Sequence, residues 1–349
     1  MRKILIIFYF CLVILPVSNA QWQDPATPAN VQPNVNIPTG DNWVLEFSDE
    51  FNALDASRWN ATVSTKSRAP RWDKGIHDWW WKADHVSVDA GKLVLKVTKP
   101  DGNTMYCGSV DSKGLYEPLY GFMEARIQIA PVSEAIHTAF WTQGYYQSNV
   151  NGSGADGCEV DIFESPRLTD KCQTVLHWDG YGADKKAKTN HWDAPGVHAG
   201  YHTFAMHWTP DFITIYYDGI KKWTYTGVGI PQVKEWLWLS VGASFGDGDF
   251  TNGTYPAHSY VDYVRVWKKD TSTDLQDVKL PDNIRLAKNP VQDELRIVSD
   301  EEIKEAVIFD RSGSMVKHVN HQQTINVADL PKGLYLLKVN QHCLKFIKE

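Results

Sequence analysis

From Trp43 to Lys269 the chain is written in short runs whose apolar residues fall at every second position. That period leaves little room for anything but strands. KLVLKVTK, FMEARIQIA, HTFAMHW, FITIYYDG and LWLSVGA all show it. Successive side chains of a strand point to opposite faces, so a period of two means one buried face and one wet face. Clusters of Gly, Pro, Asn and Asp separate the runs, and no long amphipathic helix interrupts them. Many short strands at this spacing predict a β-sandwich or barrel. The 15 Trp and 15 Tyr agree with that, because aromatic residues favour strands and offer flat rings for sugars to stack on.

The flanks read differently. Arg2 and Lys3 precede the apolar run Ile4 to Leu15, followed by Ser18-Asn19-Ala20. This pattern is a secretory signal peptide, residues 1–20, cut after Ala20, and it is too short for a membrane span. No later segment reads as a span. Residues 21–40 are rich in Pro, Asn and Gln, as a flexible leader would be. After Lys269 the polar stretch DTSTDLQDVKLPDN marks a linker, 270–284. Residues 285–349 form a small β-rich module with turn signals at Arg311-Ser312-Gly313 and Pro331-Lys332-Gly333. It contains no Trp, which sets it apart from the 41–269 region.

The formal charge of -7 provides no basic field for nucleic acid. Five Cys are too few for a disulfide scaffold in 349 residues, although a Cys158–Cys172 bridge between neighbouring strands stays open. No Cys/His spacing reads as a zinc site. The sequons at Asn151 and Asn252 are read as ordinary turns.

The stretch GCEVDIFESP, Gly157 to Pro166, carries the chemistry. In a strand Glu159 and Asp161 share one face and Val160 and Ile162 the other. Glu164 then falls on the apolar face unless one extra residue, Ile162 or Phe163, makes a β-bulge. With the bulge, three acids stand in a row. Their mutual repulsion costs stability, which argues for a chemical role. Glycoside hydrolysis with retention needs a carboxyl pair about 5–5.5 Å apart, one ionised and one protonated. A third acid between them helps decide which site holds the proton.

Glu159-Val-Asp161-Ile-Phe-Glu164 resembles the signature of glycoside hydrolase family 16. LEFSDEFN, YGFMEARIQI, YHTFAMHWTPDFITIYYDG and YVDYVRVW resemble other strands of the same family, so the likeness covers residues 41–269. The resemblance implies a β-jelly roll of two curved antiparallel sheets with a long open cleft. It implies Glu159 as nucleophile, Asp161 as the assisting acid and Glu164 as acid/base. It matches Trp141, in HTAFWTQG, to a cleft Trp that stacks on sugar, and His177, in VLHW, to a His facing the acids. It requires no redox or nucleotide cofactor. Asp262 is the candidate for a structural calcium found on the convex face of some members.

For substrate, the bulged spacing is similar to laminarinases, agarases, porphyranases and carrageenases. Laminarinases usually carry Trp-Pro-Ala-x-Trp-Met where this chain has HTAFWTQG. MYCGSVDSKG before YGFMEARI looks more like enzymes of red-algal galactans, and Arg71 with Trp72 pairs a sulfate-binding group with a stacking ring. The expectation is therefore a secreted retaining endo-glycosidase of agar, porphyran or carrageenan, acting as a monomer. The alternatives are a laminarinase-type endo-β-1,3-glucanase and a non-catalytic polysaccharide-binding jelly roll. The C-terminal module resembles the sorting domain read by type IX secretion machinery, which places the protein outside the cell or at its surface.

Overall fold

The computed structural model describes residues 22–36, 42–270, 284–310, 314–340 and 342–349. The expected signal peptide at 1–20, nearly all of the expected linker and the turn signal at Arg311 to Gly313 lie outside the described residues. The chain divides into two compact units, 1–270 and 271–349. No helix among the described residues is long and apolar enough to cross a membrane.

The first unit is nearly all strand. In chain order these are β1 (Trp43–Asp49), β2 (Asn60–Ala61), β3 (Asp78–Trp81), β4 (Val86–Asp89), β5 (Lys92–Thr98), β6 (Thr104–Cys107), β7 (Ser109–Asp111), β8 (Gly121–Gln128), β9 (Ile136–Gln143), β10 (Glu159–Glu164), β11 (Lys171–Trp178), β12 (Lys186–Asp193), β13 (His202–Trp208), β14 (Ile213–Tyr217), β15 (Ile220–Tyr225), β16 (Trp236–Ala243) and β17 (Ala257–Lys269). One sheet has seven strands in the order β12-β11-β10-β9-β16-β7-β2, all antiparallel. The other has ten, along β15-β14-β13-β8-β17-β5-β6-β3, with β1 on β17 and β4 on β5. The runs with a period of two form these strands. The two sheets make the jelly-roll sandwich.

The core lies between the sheets. Phe140, Ile162, Phe163, Leu237 and Leu239 come from the seven-stranded sheet, and Met123, Ala125, Phe204, Val264 and Val266 from the other, all essentially without exposure. Phe163 on β10 stacks on Phe204 on β13, with ring centroids 3.6 Å apart. This contact ties the strand of acids to the opposite sheet.

The N-terminal segment is not the flexible leader its composition predicts. Over 22–36 it lies as a strap on the outer face of the ten-stranded sheet. Trp267 donates its indole N–H to the Val31 carbonyl at 2.9 Å, and Asn34 donates its backbone N–H to Glu124 at 3.0 Å. Val31 and Val35 cover an apolar cluster of Trp43, Phe122, Ala205, Tyr216 and Trp267. Polar composition misleads here because two valines and a few backbone hydrogen bonds are enough to hold an extended segment.

The structure also bears on two points that the sequence left open. Cys158 and Cys172 are buried free thiols. Glu159 pairs with His177 and Cys172 with Trp192, so the cysteines sit near opposite ends of their strands. Asp262, the calcium candidate, already has Lys92 and Arg126 as ion-pair partners.

The second unit holds β18 (Ile284–Leu286), β19 (Glu294–Ser299), β20 (Glu305–Phe309), β21 (Met315–Asn320), β22 (Thr324–Asn326), β23 (Gly333–Val339) and β24 (His342–Lys348). They form a three-stranded sheet, β18-β19-β22, and a four-stranded one, β21-β20-β23-β24, around a core that includes Ile297, Ile308, Leu337 and Phe346. Tyr335 is buried on Phe346 and donates to the Pro331 carbonyl at 2.8 Å, so it offers no platform to a sugar.

Phe163→Ala should lower unfolding free energy by about 3–5 kcal/mol, the range for emptying a buried aromatic site. Denaturant unfolding of the variant checks this. A loss below about 1 kcal/mol would mean that the sheets are not joined at this stack.

Candidate active site

The site begins with a conflict in β10. Val160, Ile162 and Phe163 are all fully buried, yet Ile162 and Phe163 are neighbours. A regular strand cannot send both to one face. The register shows how this is resolved. Against β9, Asp161 pairs with Trp141 and Phe163 with Phe140, so Ile162 is the extra residue. Against β11, Asp161 pairs with Val175 and Glu164 with Gln173, which leaves Thr174 opposite the bulge. Thr174 donates its hydroxyl to the Ile162 carbonyl at 2.9 Å, and Trp192 donates its indole N–H to the Thr174 hydroxyl at 3.0 Å. The bulge is thereby pinned, and Glu159, Asp161 and Glu164 share the face turned away from the core.

The acids are recessed, with side chains 15%, 8% and 12% exposed in that order. Burial pushes all three upward, and they titrate together. Glu159 is raised by burial, but two neighbours oppose the rise. Tyr181 donates its hydroxyl to one carboxylate oxygen, and Arg68 lends positive charge. Asp161 is raised well above the usual range, first by burial and then by repulsion from Glu164 and Glu159. Glu164 is raised to about 7 by burial, with Gln173 donating to it at 2.9 Å and Glu159 repelling it. Glu159 is therefore the best-supported anion, and Asp161 and Glu164 share the protons.

Both neighbouring histidines are neutral. His177 lies 3.9 Å from Glu159 and 3.7 Å from Asp161, in contact but beyond hydrogen-bond length. Burial and Lys185 push it down to about 4. His137, at 3.8 Å from Glu164, is pushed down to about 4 by burial and by Arg71 and Arg68. The ligand atoms of Glu159, Asp161 and His177 lie within 4.8 Å of one another. A divalent cation would therefore compete for the acid row itself.

Aromatic rings extend the site sideways. Trp141 stands across from Asp161 on β9 and stacks on Trp238, centroids 4.1 Å apart and planes 9° apart. Trp141 is only 7% exposed, so it backs the floor more than it offers an open platform for sugar. Beyond Trp238 lies a groove of about 660 Å³ walled by 62–69, Arg71, Trp79, Trp81 and Trp238. Trp79 and Trp81 point to one side of β3 and Trp80 to the other. Arg71 reaches this groove. Trp72 does not line it, standing 65% exposed against His77. The Arg–Trp pairing expected of Arg71 and Trp72 is made by Arg68, whose guanidinium lies 3.8 Å over Trp81 and 4.9 Å from the centre of Trp79.

Several residues carry no sequence signal of this role. Tyr181 and Gln173 are single polar residues in a loop and a strand. Glu235 is a fully buried carboxyl behind β10, 2.5 Å from the Thr142 hydroxyl and accepting the Cys158 N–H at 2.8 Å. Burial raises it to about 8. Trp238 was the most accessible to reasoning, because the period of two in WLWLS places it beside Trp236 on one face.

Comparison with known proteins agrees with this geometry. Residues 74–268 match the family described as glycosyl hydrolases family 16, and residues 289–349 match the secretion system C-terminal sorting domain. The beta-glucanase of Bacillus subtilis (strain 168) is 30% identical over 229 residues, 64% of this chain and 86% of that protein. The kappa-carrageenase of Pseudoalteromonas carrageenovora is 27% identical over 292 residues, 69% of this chain and 68% of that protein. The X-ray structure of endo-beta-1,3-glucanase from Pyrococcus furiosus superposes with a TM-score of 0.56 at 23% identity. It covers 68% of this chain and 99% of that one.

Thr174→Val keeps the shape and removes the hydroxyl, orphaning the Ile162 carbonyl and the Trp192 N–H. It should cost about 1–3 kcal/mol in denaturant unfolding. Turnover should fall as well, because Glu164 loses its fixed aim. Wild-type values in both measurements would show that the bulge is held by something else.

Proposed function

The chain belongs to glycosyl hydrolase family 16, and on that premise we propose that it cuts a red-algal galactan of the agar, porphyran or carrageenan class with retention at the anomeric carbon. It is a glycoside hydrolase, and its sorting domain marks a protein secreted or held at the cell surface. The observation that carries the proposal is the row of three coupled, recessed acids beside a groove walled by tryptophans.

In this reading Glu159 attacks the anomeric carbon as an anion, helped by the Tyr181 hydroxyl and the charge of Arg68. Glu164 gives its proton to the departing glycosidic oxygen, and an ester forms between Glu159 and the sugar. Glu164, now a carboxylate, takes a proton from water, whose oxygen attacks the same carbon and releases Glu159. Asp161 sits between the two and stores a proton close to Glu159. His177, being neutral, packs against the pair without adding charge. No metal or organic cofactor enters these steps. The enzyme acts as a monomer, and the C-terminal unit is the part that the type IX machinery reads.

The kappa-carrageenase relative and the cationic groove support a galactan. The beta-glucanase relative supports a second reading, an endo-β-glucanase of laminarin type. A binding protein without activity would have no use for three mutually repelling buried carboxyls.

Reducing-sugar release from agarose, porphyran, κ-carrageenan, laminarin and mixed-linkage glucan separates these readings. Release from a galactan is expected, whereas release from the glucans alone would overturn the substrate assignment. Glu159→Gln should abolish release and keep polymer binding, and unchanged release would sink the mechanism.

Glu164 must be protonated to act. Its raised pKa keeps the proton on below about 7 and loses it as pH rises through that value. kcat/KM should therefore decline on the alkaline side of about pH 7, and Glu164→Gln should lower it by roughly 10²–10⁴-fold. A wild-type profile flat to pH 9 would contradict the role of Glu164.

A further inference from the structure

The two ends of β10 are fixed by different means. At one end the Thr174 hydroxyl pins the bulge that aims Glu164. At the other, Glu159 is the first residue of the strand, and the ladders to β9 and β11 begin with it. The placing of Glu159 therefore depends on the peptide of Cys158 just ahead of it. That peptide is held from both sides. Gly144 donates its backbone N–H to the Cys158 carbonyl at 2.9 Å, and Cys158 donates its own N–H to Oε1 of Glu235 at 2.8 Å.

A carboxyl is an unusual group to find there. Glu235 is fully buried, and among the described residues no lysine or arginine offsets its charge. Such a group is costly unless it is neutral and hydrogen-bonded throughout. Both of its oxygens are used, because Oε2 meets the Thr142 hydroxyl on β9 at 2.5 Å. Its backbone N–H is tied to the Pro118 carbonyl at 3.1 Å. The chain also leaves room for it. A Cβ on Gly144 would lie 3.1 Å from Oε1 and 2.6 Å from the Gly157 Cα, and Gly157 takes a φ of +140°. One carboxyl thus joins the end of β9, the entry to β10 and the start of β16.

The titratable groups that face it are the Glu159 carboxyl and the Cys158 thiol. Burial raises Glu235 to about 8 against its two hydrogen bonds, and Glu159 adds to the rise. Burial also holds the thiol well above its usual range. At neutral pH both stay uncharged. Glu235 then offers one donor and one acceptor, and it puts no second negative charge behind the nucleophile.

We propose that Glu235 is a positioning residue for Glu159: by tying Thr142 of β9 to the peptide of Cys158 it sets where the Glu159 carboxylate stands relative to the anomeric carbon. The inference rests on the reading of Glu159 as nucleophile and adds the group that aims it.

The test uses the full-length protein on whichever polymer of the five-member panel it cuts best. Glu235→Leu should lower kcat by roughly 10- to 100-fold, the effect of misplacing a reacting group by about 1 Å, and leave KM unchanged. Glu235→Gln presents the same acceptor and donor without a charge, and it should keep most of the activity. Thr142→Val loosens the clamp without emptying the core, so it should show the same split at roughly fivefold, the net worth of one neutral hydrogen bond. It serves as well if Glu235→Leu does not fold. Wild-type kcat in both Glu235→Leu and Thr142→Val, or a loss in Glu235→Gln as large as in Glu235→Leu, would overturn the clamp.

A second arm needs no substrate. The carboxyl of Glu159 is followed by NMR in protein labelled with carbon-13 at the glutamate side-chain carboxyls, its signal assigned by its absence in Glu159→Gln. Its titration should move upward in Thr142→Val and Glu235→Leu, as the Tyr181 hydroxyl loses its alignment with it, and hold in Glu235→Gln. Superimposable curves in all four proteins would overturn the proposal. If no polymer is cut while these shifts appear, the substrate reading fails and the clamp stands.

Discussion

Ile162 and Phe163 both require the core, and a strand can give it only one of two neighbours. The bulge that resolves this conflict decides everything downstream of it. It lets Phe163 reach Phe204 in the opposite sheet, and in the same stroke swings Glu164 onto the face of Glu159 and Asp161. Packing demand and chemical demand are met by one extra residue. The Trp192 to Thr174 to Ile162 chain of hydrogen bonds then fixes the irregular backbone where the sheet ladder cannot. Without that pin the bulge would be free to migrate along the strand, and a shift of one residue would carry the acids into the core.

The resulting row is electrostatically uncomfortable, and its neighbours are arranged to divide the charge unevenly. Glu159 has a phenol donor and a guanidinium, whereas Glu164 has only the amide of Gln173. The histidines at either end stay neutral, so they shape the site without paying off its negative charge. Glu235, buried behind the strand, adds a fourth carboxyl that holds the Cys158 backbone next to Glu159 and is itself pushed toward the neutral form. Identical functional groups thus acquire different roles from where the donors stand.

The strands and the acid row were legible because both depend on local periodicity. The bulge was legible from the odd spacing of Glu164, since only an extra residue reconciles it with Val160 and Ile162. What could not be read were contacts between distant segments. Arg68 meets Trp81 across a loop of a dozen residues, a distance at which sequence neighbours such as Arg71 and Trp72 look the better pair. Tyr181 reaches Glu159 from the far side of β11. Trp141 sits where the family likeness puts it, yet its open face is taken by Trp238, a partner on another strand. The strap at 22–36 escaped notice because its composition describes a segment in water, whereas its Val31 and Val35 meet a surface formed by residues from 43 to 267.

That strap has a practical bearing. Phe122, Tyr216 and Trp267 lie on the back of a broad sheet, and the strap is what lies over them. A chain trimmed to begin at Asn42 would keep every acid and the whole groove, yet it would present those rings to water as a contiguous sticky face. Copies of such a chain would associate through it. The strap at 22–36 therefore governs the solubility and the shelf life of this protein, a property that no assay of the cleft would reveal.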